Sequence, residues 1–139
     1  MNPPNFPIVT ATTAVILAFL QVALMLWTSV GRAQLSTGLG DGGDNGLLRR
    51  IRMHGNLAEN LPIFLILLVL VEVAGEWRRV VPAIATIFVL ARIAHVIGLA
   101  RTDGPSVPRV VGALGTAIST AALVVMLAVT VVADVTMRS

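Results

Sequence analysis

The chain has 139 residues, of which 56% are hydrophobic and only 12% charged, with a mean hydropathy of +0.89. A soluble domain carries about 25% charged residues, so an ordinary water-soluble globule is excluded. Cysteine is absent, which excludes disulfides, a cysteine nucleophile and a thiolate metal site.

Four apolar stretches account for the missing charge: Ile8 to Val30, Leu61 to Ala74, Val80 to Ala100 and Val110 to Ala133. Three reach the roughly 20 residues that cross a hydrocarbon core. The second spans only if its helix begins near Leu47 and carries polar residues inward. The pattern predicts an all-α integral membrane four-helix bundle. It forms one domain over residues 1–139, with helices at about 8–32, 47–74, 80–100 and 109–134.

The first helix follows a Pro-rich, turn-prone tail, Met1 to Pro7, that has no basic residue. Its apolar core exceeds the about 7–15 residues of a secretory signal, so a retained helix is expected. Gln21, its one strongly polar interior residue, is expected to pack against a neighbouring helix. In the loop that follows, Gly38-x-Gly40-x-x-Gly43 matches a dinucleotide fingerprint by letter, but no βαβ unit surrounds it. A tight loop in which Asp44 or Asn45 caps the second helix is expected instead.

The second helix carries the densest polar signal. Arg52, Asn56 and Glu59 are spaced i, i+4, i+7 and stack on one helical face. An uninterrupted apolar run, Leu61 to Val71, follows. Polar groups entering lipid are costly unless they face a partner or a cavity. The stripe is therefore either a network that clips helices together or a binding site. Pro62 cannot donate to the carbonyl of Ala58, which predicts a bend above the Asn56/Glu59 turn. Trp77, in the next turn, suits the membrane interface.

On the third helix Arg92, His95 and Gly98 share a face. Beside Arg92, His95 is expected as a neutral donor or acceptor. Arg109 opens the fourth helix, where it is either a snorkelling anchor or part of an anion site. Gly112, Gly115 and Ser119 follow it and suit close approach of helix backbones, in the bundle or between subunits.

All ten basic residues are arginines. Seven lie in or beside the first and third loops (Arg32, Arg49, Arg50, Arg52, Arg92, Arg101, Arg109), and three lie on the opposite side. The positive-inside bias places those loops in the cytoplasm and both termini outside. Arg32, Arg52, Arg92, His95 and Arg109 gather round one carboxylate, Glu59. Such an excess of buried positive charge is costly, and a bound polyanion would offset it. Metal binding is not expected, because two histidines and scattered acids have no ligand spacing. Nor is nucleic-acid binding, because no soluble basic domain exists.

Arg-x-x-x-Asn-x-x-Glu-x-x-Pro at Arg52, Asn56, Glu59 and Pro62 resembles the second-helix signature of the MAPEG family, the membrane-associated proteins in eicosanoid and glutathione metabolism. Ala91-Arg92-x-x-His95 and Arg109 resemble the same family, and the Gly-Asp-Gly-Gly loop is similar to its bacterial branch. The resemblance implies a homotrimer in a bacterial inner membrane, with glutathione as thiol co-substrate held between subunits. It implies that Arg52, Asn56 and Glu59 hold glutathione, Glu59 its amino group, with Arg32, Arg92 and His95 as further binding groups. Arg109 would be the catalytic residue, stabilising a thiolate whose thiol has an ordinary pKa of about 8.5. The implied activity is that of a transferase or peroxidase acting on lipophilic electrophiles that arrive from membrane lipid.

Two positions depart from the family pattern. Asn60 and Leu99 stand where many members have tyrosine, and the chain contains none. Each missing neutral hydrogen bond is worth about 0.5–1.5 kcal/mol. The second expectation is therefore a noncatalytic structural or lipid-binding subunit with the same fold.

Overall fold

The computed structural model describes residues 6–139, so the tail at residues 1–5 lies outside the described part. Four helices follow in order: α1 (Ile8–Gln34), α2 (Asn45–Ala74), α3 (Val81–Arg101) and α4 (Val107–Arg138). All four are long and apolar enough to cross a membrane. The chain is an all-α membrane bundle.

The helix ends follow local chemistry. Asp44 accepts a hydrogen bond from the Leu47 amide at 2.6 Å and caps α2. Gly75 ends that helix at φ +82°, a left-handed conformation that glycine adopts without Cβ strain. Pro82 and Pro108 sit in the first turns of α3 and α4, where no amide donor is needed. The early proline starts α4 at Val107, two residues before the expected start, which puts Arg109 within its first turn. Pro62 lies inside α2, which runs unbroken through it.

Cross-helix contacts settle an up-and-down topology. Glu72 near the end of α2 meets Val9 and Thr10 at the start of α1. Phe64 of α2 stacks on Phe88 of α3, with centroids 3.5 Å apart and planes 8° from parallel. Trp77, in the α2–α3 turn, donates to Thr130 near the end of α4 at 3.2 Å. The first and third loops therefore share one end of the bundle, with most of the arginines.

The core runs along the bundle axis through Leu17, Leu57, Phe64, Leu68, Phe88 and Leu123, all fully buried. Around it, large apolar side chains such as Phe19, Leu90 and Val125 face outward. In water such a surface would drive association. In lipid it is the ordinary exterior, and the backbone polar groups are satisfied within each helix.

The α3–α4 pair packs closest. A Cβ on Gly112 would lie 2.6 Å from the Ala91 carbonyl oxygen and from the backbone nitrogen of His95. A Cβ on Gly98 would overlap the backbone of Arg109. These two glycines let the helix axes approach and fix the height of Arg109 against His95.

Candidate functional site

The polar stripe of α2 opens into a cavity of about 820 Å³ at the arginine-rich end. Ligand pockets commonly enclose about 300–1,000 Å³, so the space suits a small molecule. Six of the seven sequence-predicted residues line it: Arg32, Arg52, Asn56, Glu59, His95 and Arg109. Glu59 lies fourteen residues beyond Asn45, the first residue of α2, so the cavity reaches about 21 Å down the helix at 1.5 Å per residue.

The seventh, Arg92, stands behind the wall. It is 1% exposed. Its guanidinium donates through Nη2 to Oδ1 of Asn56 at 2.5 Å and through Nη1 to Thr116 Oγ1 at 3.1 Å. No carboxylate pairs with Arg92 among the described residues, and its Nε has no partner. The sequence reading placed Arg92 among the binding groups. In the fold it donates to Asn56 and lines a second groove of about 460 Å³ between α2 and α4. Asn56 and His95 line both spaces.

His95 is positioned from α4. Its Nδ1 lies 3.1 Å from the Arg109 carbonyl oxygen. A carbonyl can only accept, so Nδ1 carries the proton. The contact ties the histidine to the first turn of α4, while the Arg109 side chain lines the cavity.

Arg32 has a local partner. Its Nη1 donates to the carbonyl oxygens of Gly40 at 3.0 Å and Gly38 at 3.3 Å. The first loop, expected only to be tight and to cap α2, is thereby drawn against the cavity, and Gly40 and Asp41 line it. Asp41 and the pair Arg49–Asp103, whose closest N–O distance is 3.5 Å, are lining charges that the sequence reading missed. The Gly-Asp-Gly-Gly motif was a signal for Asp41. Nothing in the sequence linked Arg49 to an aspartate 54 positions away.

Chemically the site offers three arginines without a carboxylate partner (Arg32, Arg52, Arg109), two amides (Asn45, Asn56), a histidine and two carboxylates outside the Arg49–Asp103 pair, Asp41 and Glu59. Such a set can bind a small zwitterion that carries more negative than positive groups.

Comparison with known proteins agrees with this architecture. The chain is 33% identical over 67 residues to inner membrane protein YecN of Escherichia coli K12, and equally to its counterpart in Escherichia coli O6:H1. The matched region covers 48% of this chain and 51% of those relatives. The chain thus spans about half the length of the curated relatives it matches. Residues 10–129 match the MAPEG family, a range that takes in α2 and α3 whole, most of α1 and α4, and every residue of the cavity. The protein belongs to the MAPEG family.

Proposed function

We propose that this protein is a membrane-bound, glutathione-dependent transferase or peroxidase acting on lipophilic electrophiles by thiolate attack. The observation that carries the reading is the convergence of Arg52, Asn56, Glu59 and Arg109 on one polar cavity that opens at the end of an otherwise apolar bundle. Glutathione carries two carboxylates, one ammonium and a thiol. Arg52 and Arg32 suit the carboxylates, because guanidinium binds carboxylate through paired donors. Glu59 suits the ammonium, with the Asn56 amide beside it. Arg109 then serves the sulfur. A nearby cation favours the thiolate over the thiol, and the released proton passes to water at the cavity mouth.

The thiolate attacks an electrophilic carbon, forms a carbon–sulfur bond and expels the leaving group. With a hydroperoxide it instead splits the oxygen–oxygen bond, giving an alcohol and a sulfenic acid that a second glutathione reduces. The adjoining α2–α4 groove, with Ala113, Ala117 and Val124 in its wall, offers the electrophile a route from lipid. Family membership supports assembly as a homotrimer. The likeness to an inner membrane protein supports a multi-pass inner-membrane location, and the arginine bias supports both termini outside the cytoplasm.

A second reading, a noncatalytic structural or lipid-binding subunit, rests on one observation. The Asn56 side-chain oxygen is already committed to Arg92, and no tyrosine exists to replace it. Glutathione titration of detergent-solubilised protein separates the two. Thiolate absorbance and a thermal shift that are lost together in Arg52→Ala support the enzyme. No binding at millimolar glutathione leaves the structural subunit. Arg109→Ala is expected to bind glutathione but show little thiolate.

A further inference from the structure

The third loop, residues 102–106, meets the start of α2 at the arginine-rich end of the cavity. Oδ1 of Asp103 lies 3.5 Å from Nε of Arg49, and both residues line the cavity. That ion pair is longer than a charge-assisted hydrogen bond, which measures about 2.7–2.9 Å. Its two members differ in environment: the Asp103 side chain is 65% exposed, that of Arg49 33%. Beside Asp103, the Gly104 carbonyl accepts from Thr102 Oγ1 at 3.1 Å and from Arg109 Nη1 at 3.5 Å. The loop thus touches two cavity arginines, Arg49 and Arg109.

Position decides what Arg49 can serve. It precedes Arg52 by three residues on α2, so the two side chains rise from one helical face, and both line the cavity. Glu59 lies ten residues beyond Arg49, about 15 Å deeper at 1.5 Å per residue. Glutathione bears its ammonium and one carboxylate on the same carbon, and its glycyl carboxylate at the far end. Three extended residues span about 11 Å, and the flexible glutamate and arginine side chains close the remaining distance. With the ammonium at Glu59, the glycyl carboxylate comes to Arg49. Asp103 presents the same chemical group to the same arginine. Because Asp103 is mostly exposed, its carboxylate returns to water at little desolvation cost, whereas the more shielded guanidinium gains from a closer partner.

We infer that Arg49 is a further binding residue, for the glycyl carboxylate of the thiol ligand, and that Asp103 is a built-in competitor that occupies Arg49 until that carboxylate displaces it. The inference rests on the glutathione reading given above. It gives the third loop a role in choosing among thiols. A ligand with the terminal carboxylate releases the loop from Arg49, and one without it leaves the Arg49–Asp103 pair in place. Gly104 follows Asp103 in the chain, so the same release loosens the hold of the loop on Arg109.

The test uses the full chain in detergent, titrated calorimetrically with glutathione and with its glycyl ethyl ester, which lacks the terminal charge. Asp103→Asn is expected to lower the Kd for glutathione about two- to fivefold, the size of one exposed ion pair, and to leave that for the ester unchanged. A merely structural pair gives no such gain. Arg49→Gln is expected to raise the Kd for glutathione about tenfold, and in that background Asp103→Asn is expected to change nothing. Asp134→Asn, at the opposite end of the bundle, is expected to change neither ligand. Absence of the gain in Asp103→Asn overturns the competitor role. So does a gain that persists beside Arg49→Gln, because it then comes from the general field of one lost negative charge. Unchanged affinity in Arg49→Gln overturns the binding role of Arg49. In each of these cases the glutathione reading stands. Failure of the wild type to bind glutathione overturns both readings. Should Arg49→Gln not fold, the contrast between glutathione and ester in Asp103→Asn decides alone, since a general field tightens both.

Discussion

Arg92 of α3 donates to the side-chain oxygen of Asn56 on α2, and through that bond a buried cation sets the orientation of an amide in the cavity wall. The two residues do not contribute equally to stability. Arg92 has no anionic partner among the described residues, so its removal relieves a desolvation cost. Loss of Asn56 leaves that cation short of an acceptor. Asn56→Leu is therefore expected to destabilise the bundle by about 2 kcal/mol. Arg92→Met is expected to be close to neutral alone and to suppress most of that loss in the double variant. Unfolding in mixed micelles, read as a double-mutant cycle, checks the coupling.

Glu72 gives a prediction independent of the cavity. Its carboxylate accepts from the Val9 amide at 2.9 Å, the Thr10 amide at 2.8 Å and the Thr10 hydroxyl at 2.7 Å. It thus caps α1 from a different helix, where the dipole favours a negative group. Glu72→Ala is expected to lower stability by about 1–3 kcal/mol with glutathione affinity unchanged, because the cavity lies at the other end. Thermal unfolding with and without ligand tests both halves of the statement.

The close α3–α4 approach predicts intolerance of a single methyl group. Gly112→Ala places a Cβ against the Ala91 carbonyl and His95, and backbone atoms cannot step aside as a flexible side chain can. A loss of about 1–3 kcal/mol is expected. Displacement of His95 from Arg109 should accompany it, visible as a changed imidazole resonance. Gly55→Ala, which meets nothing within 4 Å, is the matched control.

Glu59 tests the binding roles directly. Glu59 is exposed and has no hydrogen-bond or ion-pair partner among the described residues, so Glu59→Gln is expected to leave thermal stability within about 0.5 kcal/mol. Its effect falls on glutathione, with affinity expected to drop about tenfold. Calorimetric titration beside a melting curve separates a ligand contact from a structural one.

Orientation is open to a labelling experiment, because the chain has no cysteine. Leu39→Cys introduces a single thiol at a loop position that is 92% exposed. Ser139→Cys does the same at the opposite end. With cytoplasmic first and third loops, a membrane-impermeant maleimide on intact cells is expected to label Ser139→Cys and spare Leu39→Cys.

The helices were legible in the sequence because lipid leaves little choice. A span needs an apolar run of a set length, and its ends declare themselves through Asp44, Gly75, Pro82 and Pro108. The α2 stripe was legible for the same reason, since a charged group within a span needs a structural or functional cause. Arg92 was harder to read. Its spacing from His95 suggests a shared site, but which side of a wall a guanidinium occupies depends on the partner helix that supplies Thr116.

The sequence by itself determined the solvent, the number of spans and the chemical character of the site, because those follow from composition and from helical period. Only the tertiary structure decided which charges meet. It separated Arg92 from the cavity, paired Arg49 with Asp103, turned Glu72 into a cap for α1 and drew Asp41 into the wall through Arg32. Each of these joins residues on different helices or loops. Such contacts are set by where the helices cross and how closely their backbones approach, at Gly98 and Gly112 above all, and no periodicity along one segment encodes that distance.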